Sequence, residues 1–351
     1  MFEQLGLIGC GLMGGSFALA MKKAGLVKRV VGYSKSPSTT DRARQLGVID
    51  VEAPSALLAV AGADIVLLAV PVAATEATLK AIKHLVTPQM LIMDVGSTKA
   101  DVVQAARRSL RDQLGSFVPA HPITGREVSG VEHADAELYS GRQVILTPIE
   151  RTLTAQLQKA EEVWTALGCR VTSMSPESHD AAFAAISHLP HLLAFAMMNS
   201  ITGQSNGDDF LSLAGPGFRD FTRIAAGDPK MWRDILLSNR EELLAQSRLF
   251  QQALHNFEQA IAVQFRSVPT RQQREQRRGY ENAKQVEQSR CDNRARQIAT
   301  GKGAVGRRRL DCRWQAPKVQ EPQRDQRRHP ALPGLPKHPS GQRHCAKAPQ
   351  R

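Results

Sequence analysis

Short apolar runs alternate with segments of helical periodicity over about the first 148 residues. The runs cover residues 5–8, 30–33, 65–70, 90–95, 117–120 and 144–147, and residues 16–24, 75–84 and 99–110 between them have the length of crossover helices. Parallel strands can be joined only by such crossovers. The alternation therefore predicts an α/β domain with a parallel, doubly wound sheet over residues 1–150. After Pro148 the pattern changes. Apart from a strand-like stretch at 169–173, residues 153–167, 176–200, 216–226 and 231–262 read as helices, which predicts a mainly α-helical second domain over residues 151–262. Pro190 lies inside one of these patterns and predicts a kink, because it lacks the N–H that the helix needs and crowds the preceding turn.

Beyond residue 262 the apolar periodicity stops. The whole chain of 351 residues carries a net charge of +13, which on its own suggests a nucleic-acid binder. Residues 1–262 hold 24 Lys and Arg against 26 Asp and Glu, a net −2, while residues 263–351 hold 22 against 7, a net +15. The charge thus belongs to the tail. Rich in Arg, Gln, Pro, Lys and Gly, residues 263–351 have too little apolar surface to offset the entropy of ordering and are expected to be a disordered basic tail. Two origins stand open for it: a basic arm for nucleic acid or an acidic partner, or an aberrant, out-of-frame terminus. Aromatic residues are not regularly interleaved with its basic ones, so base stacking has little to work with and a nucleic-acid partner is not expected.

Glycines at 9, 11, 14 and 15 interrupt the apolar stretch 5–20, so neither a signal peptide nor a membrane span is expected there, and a cytoplasmic protein is the default. Cys10 and Cys169 are the cysteines before the tail and offer no metal-ligand spacing; no metal is expected.

The first run leads into Gly9-Cys10-Gly11-Leu12-Met13-Gly14 and then a helix. That context suits the Rossmann-type dinucleotide fingerprint, in which the first glycine makes a tight turn, the second admits the pyrophosphate, and the third lets helix and strand pack closely. The N–H groups of Leu12 and Met13 then open a helix N-terminus, which favours an anion. A carboxylate is expected some twenty residues on, to bind the ribose of NAD, but Ser34 stands there, followed by Lys35. With no carboxylate to repel a 2′-phosphate, NADP should be accepted, alongside NAD or in its place; the alternative is that Lys35 is a solvated loop charge. Val70, closing the 65–70 run, completes the candidate cofactor-binding set.

Candidate chemistry lies further on. His121, in Ala120-His121-Pro122-Ile123-Thr124-Gly125-Arg126-Glu127, follows a predicted strand, and ligands of open α/β sheets bind beyond the carboxyl ends of the strands. A histidine there can act as a base near neutral pH. Ser97 in Asp94-Val95-Gly96-Ser97-Thr98-Lys99 ends the preceding strand at the same edge. In Ser187-His188-Leu189-Pro190-His191 the two histidines share a helix face if the helix persists. Phe218-Arg219-Asp220-Phe221-Thr222-Arg223 and Asp228-Pro229-Lys230-Met231-Trp232 follow. From the residues alone His179 and His188 read as structural histidines, Met231 and Trp232 as packing, and Glu127 as either a loop carboxylate or a neighbour that tunes His121.

Taken in order, these motifs resemble those of the prephenate/arogenate dehydrogenase family over about residues 3–262. The resemblance implies oxidative decarboxylation of prephenate to 4-hydroxyphenylpyruvate with NAD or NADP, in tyrosine biosynthesis. It implies catalytic roles for His121, which polarises or deprotonates the ring hydroxyl, and for Ser97, which hydrogen-bonds that hydroxyl and helps orient the nicotinamide. It further implies that His191 faces the pyruvyl side chain, that Arg223 pairs with a substrate carboxylate, that the helical domain forms a homodimer, and that tyrosine can compete at the substrate site. No pattern of a regulatory amino-acid-binding domain follows. Arogenate preference remains an alternative, as does a β-hydroxyacid-type dehydrogenase, although that class would need a catalytic lysine on a helix of the second domain, and Lys230 sits beside a proline in a turn. A non-enzymatic nucleic-acid binder acting through the tail is the reading from a different class.

Overall fold

The computed structural model describes residues 1–126 and 128–262, together with Arg278, Glu281 and Gln285. Glu127 and the readings made for the tail lie outside the described residues.

Six strands, β1 (Phe2–Ile8), β2 (Val27–Tyr33), β3 (Val51–Glu52), β4 (Ile65–Leu68), β5 (Leu91–Asp94) and β6 (Phe117–Val118), form a parallel sheet in the order β3-β2-β1-β4-β5-β6. The order reverses direction beside β1, the switch point at which doubly wound sheets bind ligands. Leu5, Leu7, Ile65, Leu67, Leu91 and Met93 are buried on one face and Ile8, Val66, Leu68 and Ile92 on the other, which is why these strands read as unbroken apolar runs. Helices α1 (Leu12–Lys23), α2 (Pro37–Gln45), α3 (Ala56–Val60), α4 (Thr75–Ile82) and α5 (Ala100–Leu110) make the connections. Strand β3 and helices α2 and α3 have no counterpart in the sequence reading; two, nine and five residues long, they carry too little periodicity to stand out.

The sheet ends partway through the predicted run 117–120 and does not include the run 144–147. After β6 the chain passes Pro119 and starts a second sheet, in which β7 (Ala120–Pro122) runs antiparallel to β8 (Gln143–Leu146) and β8 runs parallel to β9 (Arg170–Ser173). Two side chains explain the switch. The Ala120 N–H donates to Asp94 Oδ1 at 3.0 Å and its carbonyl accepts from Lys99 Nζ at 2.7 Å, so the backbone groups that would extend the parallel ladder are already engaged. Helix α6 (Thr154–Ala166) brings Trp164 against Phe17 and Tyr139, with ring centroids 5.1 and 5.3 Å apart, and the Tyr139 hydroxyl donates to the Met13 carbonyl in the first turn of α1.

The remaining helices are α7 (Pro176–Phe183), α8 (Leu189–Thr202), α9 (Gly207–Ser212), α10 (Pro216–Thr222), α11 (Pro229–Ser238) and α12 (Arg240–Ala262). The kink expected at Pro190 is replaced by a wide π-helical turn, Ala184–His188, one turn earlier. The physical cause is the same, since the N–H missing at Pro190 is the one that would have bonded the carbonyl of Ile186. The helix predicted over 231–262 is broken at Asn239, whose side chain turns inward to donate to the Asp180 carbonyl at 2.7 Å and to His188 Nδ1 at 3.1 Å. By length and apolar composition alone the stretch Pro176–Thr202 could cross a membrane, but it carries His179, Asp180 and His188, all buried and paired within the protein.

Candidate active site

Each glycine of the turn after β1 has a distinct geometric reason. Gly9 has φ +99°, a conformation side chains resist, and a Cβ there would lie 2.1 Å from the Ala69 carbonyl oxygen. At Gly14 a Cβ would come within 2.0 Å of the Gly9 carbonyl oxygen, whereas at Gly11 it would meet nothing within 4 Å. The first and third glycines are therefore demanded by the fold itself, and the second leaves open space before the N-terminus of α1. That open space is the cradle a pyrophosphate requires. Leu12 and Met13 open α1, and Val70 lies half-buried past the carboxyl end of β4 at the same edge. At the end of β2 the Ser34 hydroxyl accepts the Cys10 N–H at 2.8 Å, tying the strand to the glycine turn, and Lys35 is exposed. No carboxylate occupies the Ser34 position.

His121 sits on β7, paired with Ile145 of β8, just beyond the carboxyl edge of the parallel sheet. Its position follows from the Asp94–Lys99 pair that fixes Ala120. Asp94 also accepts the Gly96 N–H at 2.8 Å, which shapes the loop carrying Ser97. Ser97 is half-buried, and its backbone lies beside His188. His121 is half-buried and packs against His179 and Phe183, whose ring centroids lie 5.0 and 4.8 Å away. Enclosure, reinforced by the neighbouring His179, Lys99 and His188, pushes its imidazole well below the ordinary value of 6.5 and keeps it neutral.

His188 and His191 share a helix face as expected and meet at Trp232. His191 stacks on the indole at 3.4 Å with a 20° interplanar angle, and His188 meets it edge-on at 6.4 Å. His191 Nδ1 donates to the Ser187 carbonyl at 2.9 Å, which fixes the ring on its helix. Arg223 is exposed at the start of the turn Arg223–Ala226, which packs against α8, the helix of His191. The helical domain thus carries His191 and Arg223 on neighbouring elements.

The sequence pattern gives His179 and Trp232 structural readings and leaves Asp180, Phe183 and Asn239 unmarked. One signal for the first two polar residues was present: His179-Asp180 interrupts an otherwise apolar helix, and a buried charge needs a partner. Asn239 and Trp232 carried no such signal, because their partners lie about 50 and 41 positions away along the chain.

A glycine cradle at the switch point of a parallel sheet, with a neutral histidine at the adjoining edge, defines a two-domain dinucleotide-dependent dehydrogenase. Residues 17–173 match the family described as prephenate dehydrogenase, nucleotide-binding domain, and residues 175–275 match prephenate dehydrogenase, dimerization domain. The chain belongs to the prephenate dehydrogenase family. It is 35% identical over 265 residues to the cyclohexadienyl dehydrogenase of Zymomonas mobilis, covering 75% of this chain and 90% of that one. To the prephenate dehydrogenase of Bacillus subtilis it is 38% identical over 246 residues, which span 70% of this chain and 66% of the relative. A crystal structure of prephenate dehydrogenase from A. aeolicus in complex with hydroxyphenyl propionate and NAD+ superposes with a TM-score of 0.69 at 34% identity, covering 83% of this chain and 98% of that one.

Proposed function

We propose that this protein is a prephenate dehydrogenase of tyrosine biosynthesis, converting prephenate to 4-hydroxyphenylpyruvate and CO2 with reduction of NAD or NADP. The observation that carries the reading is His121: a neutral, half-enclosed imidazole at the carboxyl edge of a dinucleotide-binding sheet, in a chain of this family. The residues that would hold the cofactor are Gly9, Gly11, Leu12, Met13 and Gly14 for its pyrophosphate, Ser34 and Lys35 for its ribose, and Val70 for its nicotinamide half. When bound, NAD(P)+ would supply the hydride acceptor for the ring carbon that carries the hydroxyl.

His121 accepts the proton of that hydroxyl as the C–H bond breaks and a C=O bond begins to form. The bond to the ring carboxylate then breaks, CO2 leaves, and its electron pair restores the aromatic ring as a phenolate, which takes back the proton. Rearomatisation makes the reaction strongly downhill, so the protein need supply little beyond position and one base. Ser97 donates to the same oxygen, His191 faces the pyruvyl arm, and the Arg223 guanidinium offers two parallel N–H bonds to a carboxylate of the dianionic substrate.

The active species is a cytoplasmic homodimer joined through the helical domain. Supporting this, α12 exposes Phe250, Leu254, Phe257 and Ile261 at helical spacing, an apolar stripe of the kind a partner subunit covers. Tyrosine, which keeps a ring and a carboxylate, competes with prephenate. Incubation of the full chain with prephenate or arogenate and each nicotinamide cofactor, with the products identified by mass spectrometry, tests the reaction. One CO2 and one 4-hydroxyphenylpyruvate per reduced cofactor is expected from prephenate; reduction without CO2 release would contradict it.

A further inference from the structure

His121 does not stand alone. Its Nδ1 lies 2.8 Å from His179 Nε2, and His179 Nδ1 lies 2.7 Å from Asp180 Oδ1. Asp180 is the end of this chain of contacts, and its surroundings settle where the protons are. Its Oδ1 also accepts the Lys99 N–H and its Oδ2 the Ala100 N–H, each at 2.8 Å, so the carboxylate caps the first turn of α5 from the other domain and receives hydrogen bonds on both oxygens. A carboxyl group whose two oxygens both accept backbone N–H bonds at a helix N-terminus is an acceptor toward its third partner as well. The proton between it and His179 must then reside on His179 Nδ1.

Burial holds His179 below the ordinary imidazole value, and Asp180 opposes this only in part, so the ring carries a single proton. Its Nε2 is therefore a lone pair, and the bond to His121 can form only with His121 Nδ1 as the donor. Phe183 fixes the geometry, stacking on His179 at 4.4 Å and 17° while lying against His121. The other charged or titratable groups around His121 are Lys99, paired with Asp94, and His188, whose Nδ1 accepts from Asn239.

We infer that His179, held by Asp180, is a positioning residue that fixes His121 as the tautomer protonated on Nδ1, leaving Nε2 as the base that receives the substrate proton. The division of labour matches the acid–histidine pairs of hydrolases, in which the buried carboxylate selects the tautomer without taking up the proton itself. Asp180 has a second consequence. Because it is anchored on the backbone of α5, the helical domain orients a base that belongs to the sheet domain, and the two are held in one register at the reacting atom. The catalytic use of this tautomer rests on the reading of His121 as the base, but the tautomer itself does not.

The test is nitrogen NMR on the full chain labelled with 15N-histidine, with the His121 signals assigned by their loss in His121→Asn. The expected result at neutral pH is a proton on Nδ1 and none on Nε2. In His179→Phe, which keeps the stack on Phe183 and removes the acceptor, the Nε2-protonated form should appear. There kcat should fall about a hundredfold, within the range that general-base catalysis supplies, with KM for prephenate changed less than about twofold. A proton on Nε2 in the unmodified protein overturns the inference, as does a His179→Phe variant that keeps its activity, or one that loses activity with the His121 tautomer unaltered. Should His179→Phe not fold, the spectrum of the unmodified chain decides alone. A bare Nε2 in a protein inert toward prephenate supports the tautomer assignment and counts against the substrate reading.

Discussion

The Lys99 ammonium lies 2.5 Å from the Asp94 carboxylate, with both side chains shut off from water. Lys99 also donates to the Ala120 carbonyl, so one buried cation decides where the chain leaves the parallel sheet and where His121 begins. Removing one member of a buried pair leaves the other charged and unpaired, which costs about 3–5 kcal/mol. Lys99→Met should lower stability by that amount in urea unfolding, and replacing Asp94 with Asn in the same chain, which removes the unpaired charge and keeps an acceptor for the Ala120 N–H, should recover part of it. A cost below about 1 kcal/mol, the range of exposed pairs, would remove this pair as the anchor.

The glycines of the cofactor turn should separate folding from binding. Gly14→Ala drives a Cβ into the Gly9 carbonyl and should destabilise the sheet domain by more than about 2 kcal/mol, since backbone cannot move aside cheaply. Gly11→Ala meets open space and should leave the cofactor-free melting temperature nearly unchanged while weakening cofactor affinity at least about tenfold. Calorimetry with and without NAD(P)+ distinguishes the two; equal effects on both quantities would refute the roles assigned.

Burial holds His188 at about 4, against its ordinary 6.5, with Asp180 pulling the other way. Between those values the unfolded chain binds a proton that the folded one refuses. The contribution of the neutral ring is therefore complete above pH 6.5 and is lost as the pH falls toward 4, by roughly 3 kcal/mol in all. In His188→Asn, which retains an acceptor for Asn239, the fall in unfolding free energy over this window, from urea titrations, should be shallower by that amount. Parallel pH profiles for the two proteins would show that His188 is not the group responsible.

The Ser34 hydroxyl is fixed on the Cys10 N–H, and the exposed Lys35 follows it. A carboxylate at this position can still accept that N–H while repelling a 2′-phosphate and binding a ribose hydroxyl. Ser34→Asp should shift the ratio of kcat/KM values toward NAD by about tenfold or more, the worth of one charge-assisted hydrogen bond. Lys35→Ala should weaken NADP alone. Initial rates with both cofactors check this, and an unchanged ratio in both variants would place specificity elsewhere.

Much of this was legible along the chain, for reasons that differ by element. The buried strands β1, β4 and β5 announce themselves because both faces are apolar, and the glycine turn because Gly9 and Gly14 make close backbone approaches while Gly11 leaves open space. His121 was legible from its place after a strand. What escaped was set by partners remote in sequence: the split of the second sheet at Pro119 depends on side chains of Asp94 and Lys99, and the break at Asn239 on groups in α7 and the π-helical turn. His179 looked like an ordinary core histidine because the two groups that define it, His121 and the N-terminus of α5, lie about 58 and 80 residues upstream. Periodicity reports which face a residue occupies, not what it meets there.

The most direct test of the central claim is the initial rate of nicotinamide reduction by the full chain with prephenate, compared with His121→Asn at matched cofactor saturation. Loss of the base should lower kcat by at least about a hundredfold while cofactor affinity holds. A His121→Asn enzyme that turns prephenate over at an undiminished rate would contradict the account.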